Sequence, residues 1–316
     1  MLFDGTPRLD GQLPDIRTMT ESAAVLLDQA IGDVDWGSVP PGVERVEFVA
    51  PSGRLAAFRA GPADGPRIVL MPGVTGSKED FGLLMPLLVG AGYRVEAFDL
   101  AGQYDSAEAG PEQLDPPREH YDHELYVDDL LAVLDAGRTP AHVLGYSFAG
   151  TVAQLALVRA PERFASLTLL SSPPKVGQSF TGTKSVLGPL SRVLSSRASA
   201  ALFVWGILRN FNRAPEDRTR FVRDRMPRHR TASIRDIVGL MRHTPDVRAE
   251  AAGIDIPKLV VFGEHDVWKA GLYRDYAAAI GAESVEYASG HSPCEDSPHQ
   301  LARDMVRVIE RRQSAA

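Results

Sequence analysis

Hydrophobic and polar positions change their period several times along the chain. Over residues 18 to 35, Ala24, Leu27 and Ile31 fall near helical spacing behind a capping-box pattern from Thr18 to Glu21, which predicts a helix packed on the outside of the rest of the chain. From Val43 the pattern shifts to short β-type runs punctuated by Gly and Pro: VERVEFVA, RLAAFRA and RIVLMPG. The first two alternate, as in an antiparallel hairpin at a sheet edge. IVLM is continuously apolar, the pattern of a strand covered on both faces.

Ser77 is then placed to cap KEDFGLLMPLLVGAG, and strand YRVEAFDL, helix HELYVDDLLAVLDAG, strand AHVLGY, helix FAGTVAQLALVRAP and strand ASLTLLSS come in turn. Strands alternating with helices in this way build βαβ crossovers, so the expected core is a doubly wound α/β sheet, mostly parallel, with helices on both faces. The rhythm breaks after Pro173 and Pro174. It resumes with PKLVVFGEHD at 257 to 266, helix LYRDYAAAIG, strand SVEYASG and terminal helix HQLARDMVRVIERR. The predicted organisation is an N-terminal helical extension (1–42), an α/β core (43–174 and 251–316) and a helical cap inserted at 175–250. An insertion that leaves from the carboxyl end of a parallel strand lies over the place where such sheets bind ligands, and so becomes a lid.

Composition narrows the classes. The 316 residues include 34 Lys plus Arg against 41 Asp plus Glu, a formal net charge of -7, and 44% are hydrophobic, the mix of a globular protein. Its acidic balance argues against a global binder of nucleic acid, which needs a basic face. The longest uncharged apolar stretch, Ala198 to Leu208, has 11 residues, well short of the roughly 20 that span a membrane. Its Leu202, Phe203, Trp205 and Leu208 are expected to wall a substrate pocket in the cap. Segment 209 to 235 holds nine arginines against Glu216, Asp217 and Asp224, read either as a solvated helix face or as a field steering an anionic substrate or carrier. The single cysteine, Cys294, allows no internal disulfide and is expected to be a small buried packing residue. The N-terminus lacks the apolar run of a secretory signal, so the expected compartment is the cytoplasm. No metal-ligand spacing or phosphate-binding glycine motif is visible, and neither metal nor cofactor is expected.

In Gly145-Tyr146-Ser147-Phe148-Ala149-Gly150 a serine sits between strand HVL and an apolar helix, on a turn whose small neighbours push the hydroxyl out at the strand's carboxyl end. Gly177-Gln178-Ser179-Phe180-Thr181-Gly182 repeats the pattern, but no strand precedes it and no apolar helix comes directly after it. Context favours Ser147. An alcohol nucleophile needs a base and an orienting carboxylate. Of the eight histidines, His291 directly follows the last strand and emerges at the same sheet edge as Ser147. His120, His123, His142, His229, His243, His265 and His299 are read as solvated or hydrogen-bonded surface side chains. Glu264 and Asp266 both follow strand LVVFG and either can supply the carboxylate, whereas SSPPKVGQSF, after strand ASLTLL, contains no acid.

With these residues in place, the chain resembles the α/β-hydrolase fold superfamily, whose nucleophile, acid, base order is matched by Ser147, Asp266, His291. The likeness covers roughly residues 43 to 312, with the insertion standing where the family carries its variable cap. LGYSFAG resembles the nucleophile elbow, FGEHD the acid turn with Asp266 at the family's carboxylate position, and SGHSPCEDSP the histidine loop. FDLAGQYDS resembles the Asp-x-x-Gly loop, with Asp99 and Gly102 as turn-builders. The resemblance implies an oxyanion hole of two backbone N–H groups, from Phe148 after the nucleophile and from Val74 in MPGVTGS. Two positions depart from the pattern: Pro72 stands where many members carry His, and Ala149 where the second glycine is usual, a methyl that should widen the helix-to-strand packing.

The resemblance implies a cofactor-free serine hydrolase that cleaves a carboxylic ester, or a related acyl bond, of a small molecule through an acyl-enzyme; monomer and homodimer both stay open. A serine nucleophile sets it apart from the epoxide hydrolase and haloalkane dehalogenase branches, which use a carboxylate. Thioesterase, lactonase, carbon-carbon bond hydrolase, acyltransferase and perhydrolase activities use the same residues. A ligand receptor on an idle scaffold is the reading from another class. The cap is expected to set substrate choice without entering the chemical step.

Overall fold

The apolar runs become eight strands: β1 (Glu44–Ala50), β2 (Gly53–Ala60), β3 (Arg67–Met71), β4 (Arg94–Phe98), β5 (Ala141–Tyr146), β6 (Phe164–Leu170), β7 (Lys258–Gly263) and β8 (Glu283–Tyr287). The structure is a computed structural model and describes residues 15–183, 198, 200, 201, 204, 205, 207 and 215–313. One sheet runs in the order β1-β2-β4-β3-β5-β6-β7-β8, antiparallel at the β1/β2 hairpin and between β2 and β4, and parallel from β4 onward. The central runs have no polar face because both faces are covered: in β3, Val69 and Met71 enter one core layer, and Ile68 and Leu70 the other.

Helices fill both layers. On one side lie α3 (His123–Asp135), α4 (Phe148–Arg159) and α8 (Ala270–Ala279); on the other lie α2 (Leu84–Gly90) and α10 (Pro298–Gln313), preceded by the short α9 (Pro293–Asp296). Helix α1 (Glu21–Gln29) is shorter than the predicted 18 to 35 and starts at a different cap. Thr20 rather than Thr18 is the N-cap, accepting the Ala23 amide at 3.2 Å, because Thr18 is already committed to a turn on Asp15. Asp28 at the far end of α1 accepts the His299 and Gln300 amides and His299 Nδ1, which ties α1 to α10. His299 is thus a structural link. His142 is not a surface residue either: it is buried in β5, 2.9 Å from Ser166 Oγ, and burial pushes its imidazole down to about 4.

The insertion after β6 contributes α5 (Glu216–Arg225) and α6 (Thr231–Leu240), with α7 (Arg248–Gly253) leading back to β7. Ile234, Ile237 and Val238 of α6 join the α3/α4 layer, so the insertion shares the core's apolar interior. Of its described arginines, Arg220 and Arg223 lie exposed on α5, whereas others are engaged with carboxylates. Arg218 and Arg225 are buried, both bonded to Asp80, with Arg218 also on Glu295; Arg228 pairs with Asp105, Arg230 with Glu112 and Arg235 with Asp236. Leu202, Phe203 and Leu208 lie outside the described residues. Trp205 is 46% exposed, while Ala200, Val204 and Ile207, on another side of that segment, pack against the core. Among the described residues no helix is long and apolar enough to cross a membrane.

Asp129 of α3 holds the β1/β2 turn, accepting Ser52 N at 3.1 Å and Ser52 Oγ at 2.6 Å, in a buried position that raises its carboxyl to about 7. The folded protein therefore keeps a proton that the unfolded chain releases near the ordinary aspartate value of about 4. This group lowers stability as pH rises through that window, by up to about 1.4 kcal/mol per unit, and has no further effect above it. Asp129→Asn has no proton to lose. In urea titrations its stability relative to the parent should grow from roughly pH 4.5 to 7 and then level; a constant difference would mean that Asp129 is ionised throughout.

Candidate active site

β5 ends at Tyr146 and α4 begins at Phe148, so one residue makes the turn between them. That residue is Ser147, at φ 53° and ψ -123°. The Ser147 amide donates to Leu170 O of β6 at 2.8 Å, and its carbonyl accepts the Gly150 amide at 2.9 Å. Space at the elbow is set by Gly150, where a Cβ would lie 1.8 Å from Ser172 Oγ. Ala149, in contrast, fits at 0% exposure, which locates the required glycine one position later than the usual pattern.

The histidine and the acid arrive from the last two strands. Beyond their ends, β7 and β8 keep pairing, through Glu264 N to Tyr287 O at 2.8 Å and His265 N to Ser289 O at 2.9 Å, which sets Asp266 beside His291. His291 Nε2 lies 3.2 Å from Ser147 Oγ, and His291 Nδ1 lies 2.7 Å from Asp266 Oδ1. Asp266 is 1% exposed, whereas Glu264 and His265 are exposed, so the structure brings Asp266 rather than Glu264 to the imidazole. Two more donors hold the carboxylate: the Val267 amide at 2.6 Å and Tyr273 OH at 2.8 Å. Burial and the adjacent Asp266 push the Tyr273 phenol well above its ordinary value, so it stays a donor. The Tyr146 and Trp268 rings flank His291 at 5.4 and 6.0 Å.

The segment after β3 passes directly beside the serine, since a Cβ on Gly73 would lie 3.0 Å from Ser147 Cβ. It forms a turn closed by Gly76 N to Gly73 O at 2.9 Å, and the Thr75 amide is bonded to Gln103 Oε1 at 2.9 Å. These bonds leave the Val74 amide unused by the turn. The Phe148 amide, at the first position of α4, has no intrahelical acceptor. Pro72 needs no side-chain donor in this arrangement, because Gln103 and the Gly76 bond brace the turn. A hydroxyl, an imidazole and a carboxylate in series beside two such amides can transfer a proton from the serine and stabilise negative charge on an attacked carbonyl oxygen.

The other predicted positions have structural tasks. Ser179 is buried at 0% exposure, with its hydroxyl 2.6 Å from Thr244 Oγ1, and holds the segment after β6. Asp99 accepts the Lys78 amide at 2.7 Å and Lys78 Nζ at 3.0 Å, and Gly102 takes φ 75°, so both build the turn expected of them. Cys294 is buried. Among the described residues, no group of three or more His, Cys, Asp or Glu is placed to hold a metal ion. Tyr273 and Gln103 were not predicted. Tyr273 carries the period signal of α8, lying on the buried face seven residues after Asp266; Gln103 sits in a loop without period. Tyr273→Phe removes a buried bond to a charged group and should lower the unfolding free energy by about 1.5–3 kcal/mol in a denaturant titration, whereas an unchanged value would mean that Asp266 is held without it.

A family model described as the alpha/beta hydrolase family matches residues 68–304. Over 113 residues the chain is 34% identical to RutD of Variovorax paradoxus (strain S110), named as a proposed carbamate hydrolase; the match spans 35% of this chain and 40% of that relative. Among solved structures, a hydrolase from Pseudomonas aeruginosa PA01 is similar at TM-score 0.66 and 23% identity, over 84% of this chain and 98% of that one. A proposed aryl esterase from Burkholderia cenocepacia is similar at TM-score 0.64 and 20% identity, over 86% and 100%. At these identities the structural likeness is one of fold. The model match extends from β3 into α10 and takes in Ser147, Asp266 and His291, and the chain belongs to the alpha/beta hydrolase family.

Proposed function

We propose that the protein is a cofactor-free serine hydrolase that cleaves a carboxylic ester, or a closely related acyl bond, of a small molecule. Ser147 Oγ adds to the carbonyl carbon while His291 Nε2 takes the hydroxyl proton, and the carbonyl oxygen becomes an oxyanion facing the Val74 and Phe148 amides. Collapse expels the alcohol, which receives the proton from His291, and leaves Ser147 acylated. Water adds in the same way, with His291 again as base, and the acid departs as Ser147 regains its proton. Asp266 keeps the imidazole proton on Nδ1 and offsets the imidazolium charge. The observation that carries this reading is the unbroken run from Ser147 Oγ to His291 to Asp266, at 3.2 and 2.7 Å, on a serine held at φ 53°.

A carbamate is the second substrate class, favoured by the similarity to RutD. Its carbonyl passes through the same tetrahedral oxyanion. The acyl pocket is assigned to the insertion after β6, with Trp205 as its candidate wall.

A fluorophosphonate probe should label Ser147; Ser147→Ala should abolish labelling and Ser179→Ala should leave it intact. Asp266→Asn should lower turnover by about 10³–10⁴-fold, far more than Glu264→Gln, because only a carboxylate facing the imidazole fixes its tautomer. Rates on matched esters, thioesters, lactones and carbamates decide the acyl class. Labelling of a Ser179 peptide, or neither labelling nor turnover across that panel, would replace this assignment with another nucleophile or with a binding scaffold.

A further inference from the structure

The amide of Gln103 stands between two parts of the molecule that chemistry would bring together. Gln103 is 0% exposed; its Oε1 accepts the Thr75 amide at 2.9 Å and its Nε2 donates to Ser233 Oγ, on cap helix α6, at 2.6 Å. The orientation is dictated by the partners, since the Thr75 N–H can only donate and must face the oxygen. Ser233 is equally buried and passes its own proton to Ala101 O at 3.2 Å, with Tyr126 OH at 3.1 Å.

Two features make this more than a packing bond. First, the Gly73–Gly76 turn has Thr75 at φ 62°, the third turn position, where a positive φ ordinarily calls for glycine or asparagine and strains a β-branched residue. Two consecutive planar peptide units are fixed there: Gly76 N–H holds the Gly73 carbonyl, which shares its plane with the Val74 N–H, and Gln103 holds the next unit through the Thr75 N–H. Without the Gln103 acceptor, nothing in the turn opposes rotation of the central peptide toward the negative φ that threonine prefers, and the adjoining peptide unit, which carries the Val74 N–H, is then held by the Gly76 bond alone. Second, α6 is pressed onto the Gln103 loop. The Arg230 amide donates to Gly102 O at 2.9 Å, and a Cβ on Gly102 would lie 2.6 Å from Ser233 Cβ.

We infer that Gln103 is a positioning residue that couples docking of cap helix α6 to the geometry of the Val74 turn, so that the cap takes part in the chemical step as well as in substrate choice. The inference rests on the reading of Ser147 as nucleophile and Val74 as oxyanion donor. It replaces the expectation that the cap acts on selection alone.

The test measures kcat and KM on a small activated acetate ester with the full chain, with active sites counted by fluorophosphonate titration. Gln103→Leu, which loses both bonds at similar volume, should lower kcat per titrated site by about 30-fold or more with KM within about threefold, the range of a misplaced oxyanion donor. Gln103→Glu keeps an oxygen for the Thr75 amide and should recover most of that loss. Ser233→Ala should lower kcat by about three- to tenfold, and the Gln103→Leu/Ser233→Ala double variant should be no worse than Gln103→Leu alone, since both act through one contact. An unchanged kcat per titrated site in Gln103→Leu, with only a lower melting temperature, would make the residue merely structural, and multiplicative losses in the double variant would break the coupling. If Gln103→Leu does not fold, Ser233→Ala decides by itself: full kcat overturns the inference. A parent protein that is neither labelled nor active removes the underlying reading and this inference together, whereas an active, labelled parent with an indifferent Gln103→Leu removes only the inference.

Discussion

An L-residue at φ 53° and ψ -123° lies outside the αR and β wells, at a cost of about 1–3 kcal/mol, and Ser147 stays there because its neighbours leave no alternative. Its amide is committed to β6, its carbonyl to the first turn of α4, and the helix behind it packs so closely that Ser172 occupies the space of a Gly150 side chain. Those conditions come from parallel pairing of β5 between β3 and β6, which fixes where every strand end lies. The same pairing, carried past the ends of β7 and β8, delivers Asp266 and His291. The reactive geometry is thus the sheet's register read out at its carboxyl edge.

Over that edge, two kinds of contact hold the cap, and magnitudes separate their roles. Burying Ile234, Ile237 and Val238 contributes about 1.5–3 kcal/mol each, enough for adhesion. The Asp80, Arg218, Arg225 and Glu295 cluster is different, because taking charges out of water offsets most of their attraction. Burial pushes the Asp80 carboxyl up, but the Arg225 and Arg218 guanidiniums outweigh it and hold it below the usual range, while burial raises Glu295 to about 7. Arg218 Nη1 and Arg225 Nε make no hydrogen bond, so the cluster is not optimised for stability. Its effect is discrimination: a cap seated elsewhere would leave buried charges unpaired, at about 3–5 kcal/mol for each broken pair.

The part of this architecture legible in the sequence is the part carried by period and proximity. IVLM, VLG and LVVF are continuous apolar runs because both faces are covered, so the core strands could be read, together with the strand ends beyond which Ser147, Asp266 and His291 meet. The start of α1 could not, because two threonines compete as caps and only the chain's turn at Asp15 decides between them. Counting the arginines did not tell the buried ones from the exposed ones. Arg218, Phe221, Val222 and Arg225 fall at i, i+3, i+4 and i+7, one face of α5, a stripe that marks these two arginines as inward-facing among otherwise exposed charges. Gln103 has no such pattern, since its partners come from two loops and a helix far apart in sequence.

That placement changes what the cap can offer a ligand. Among the described arginines of 209 to 235, Arg218, Arg220, Arg225, Arg228, Arg230 and Arg235 have a carboxylate partner within 4.0 Å. Attraction over distance depends on net charge, and a guanidinium with its counter-ion alongside presents a dipole whose field fades within about one Debye length of roughly 8 Å. The positive charge of Arg218, Arg225, Arg228 and Arg230 is therefore largely cancelled where the insertion meets the core, by Asp80, Asp105, Glu112 and Glu295 of the core itself. Charge at these four positions joins the insertion to the core. Ser233 of the same insertion accepts from Gln103, whose oxygen in turn accepts the Thr75 amide in the turn beside Ser147, so one buried side chain joins the seat of the insertion to the turn after β3.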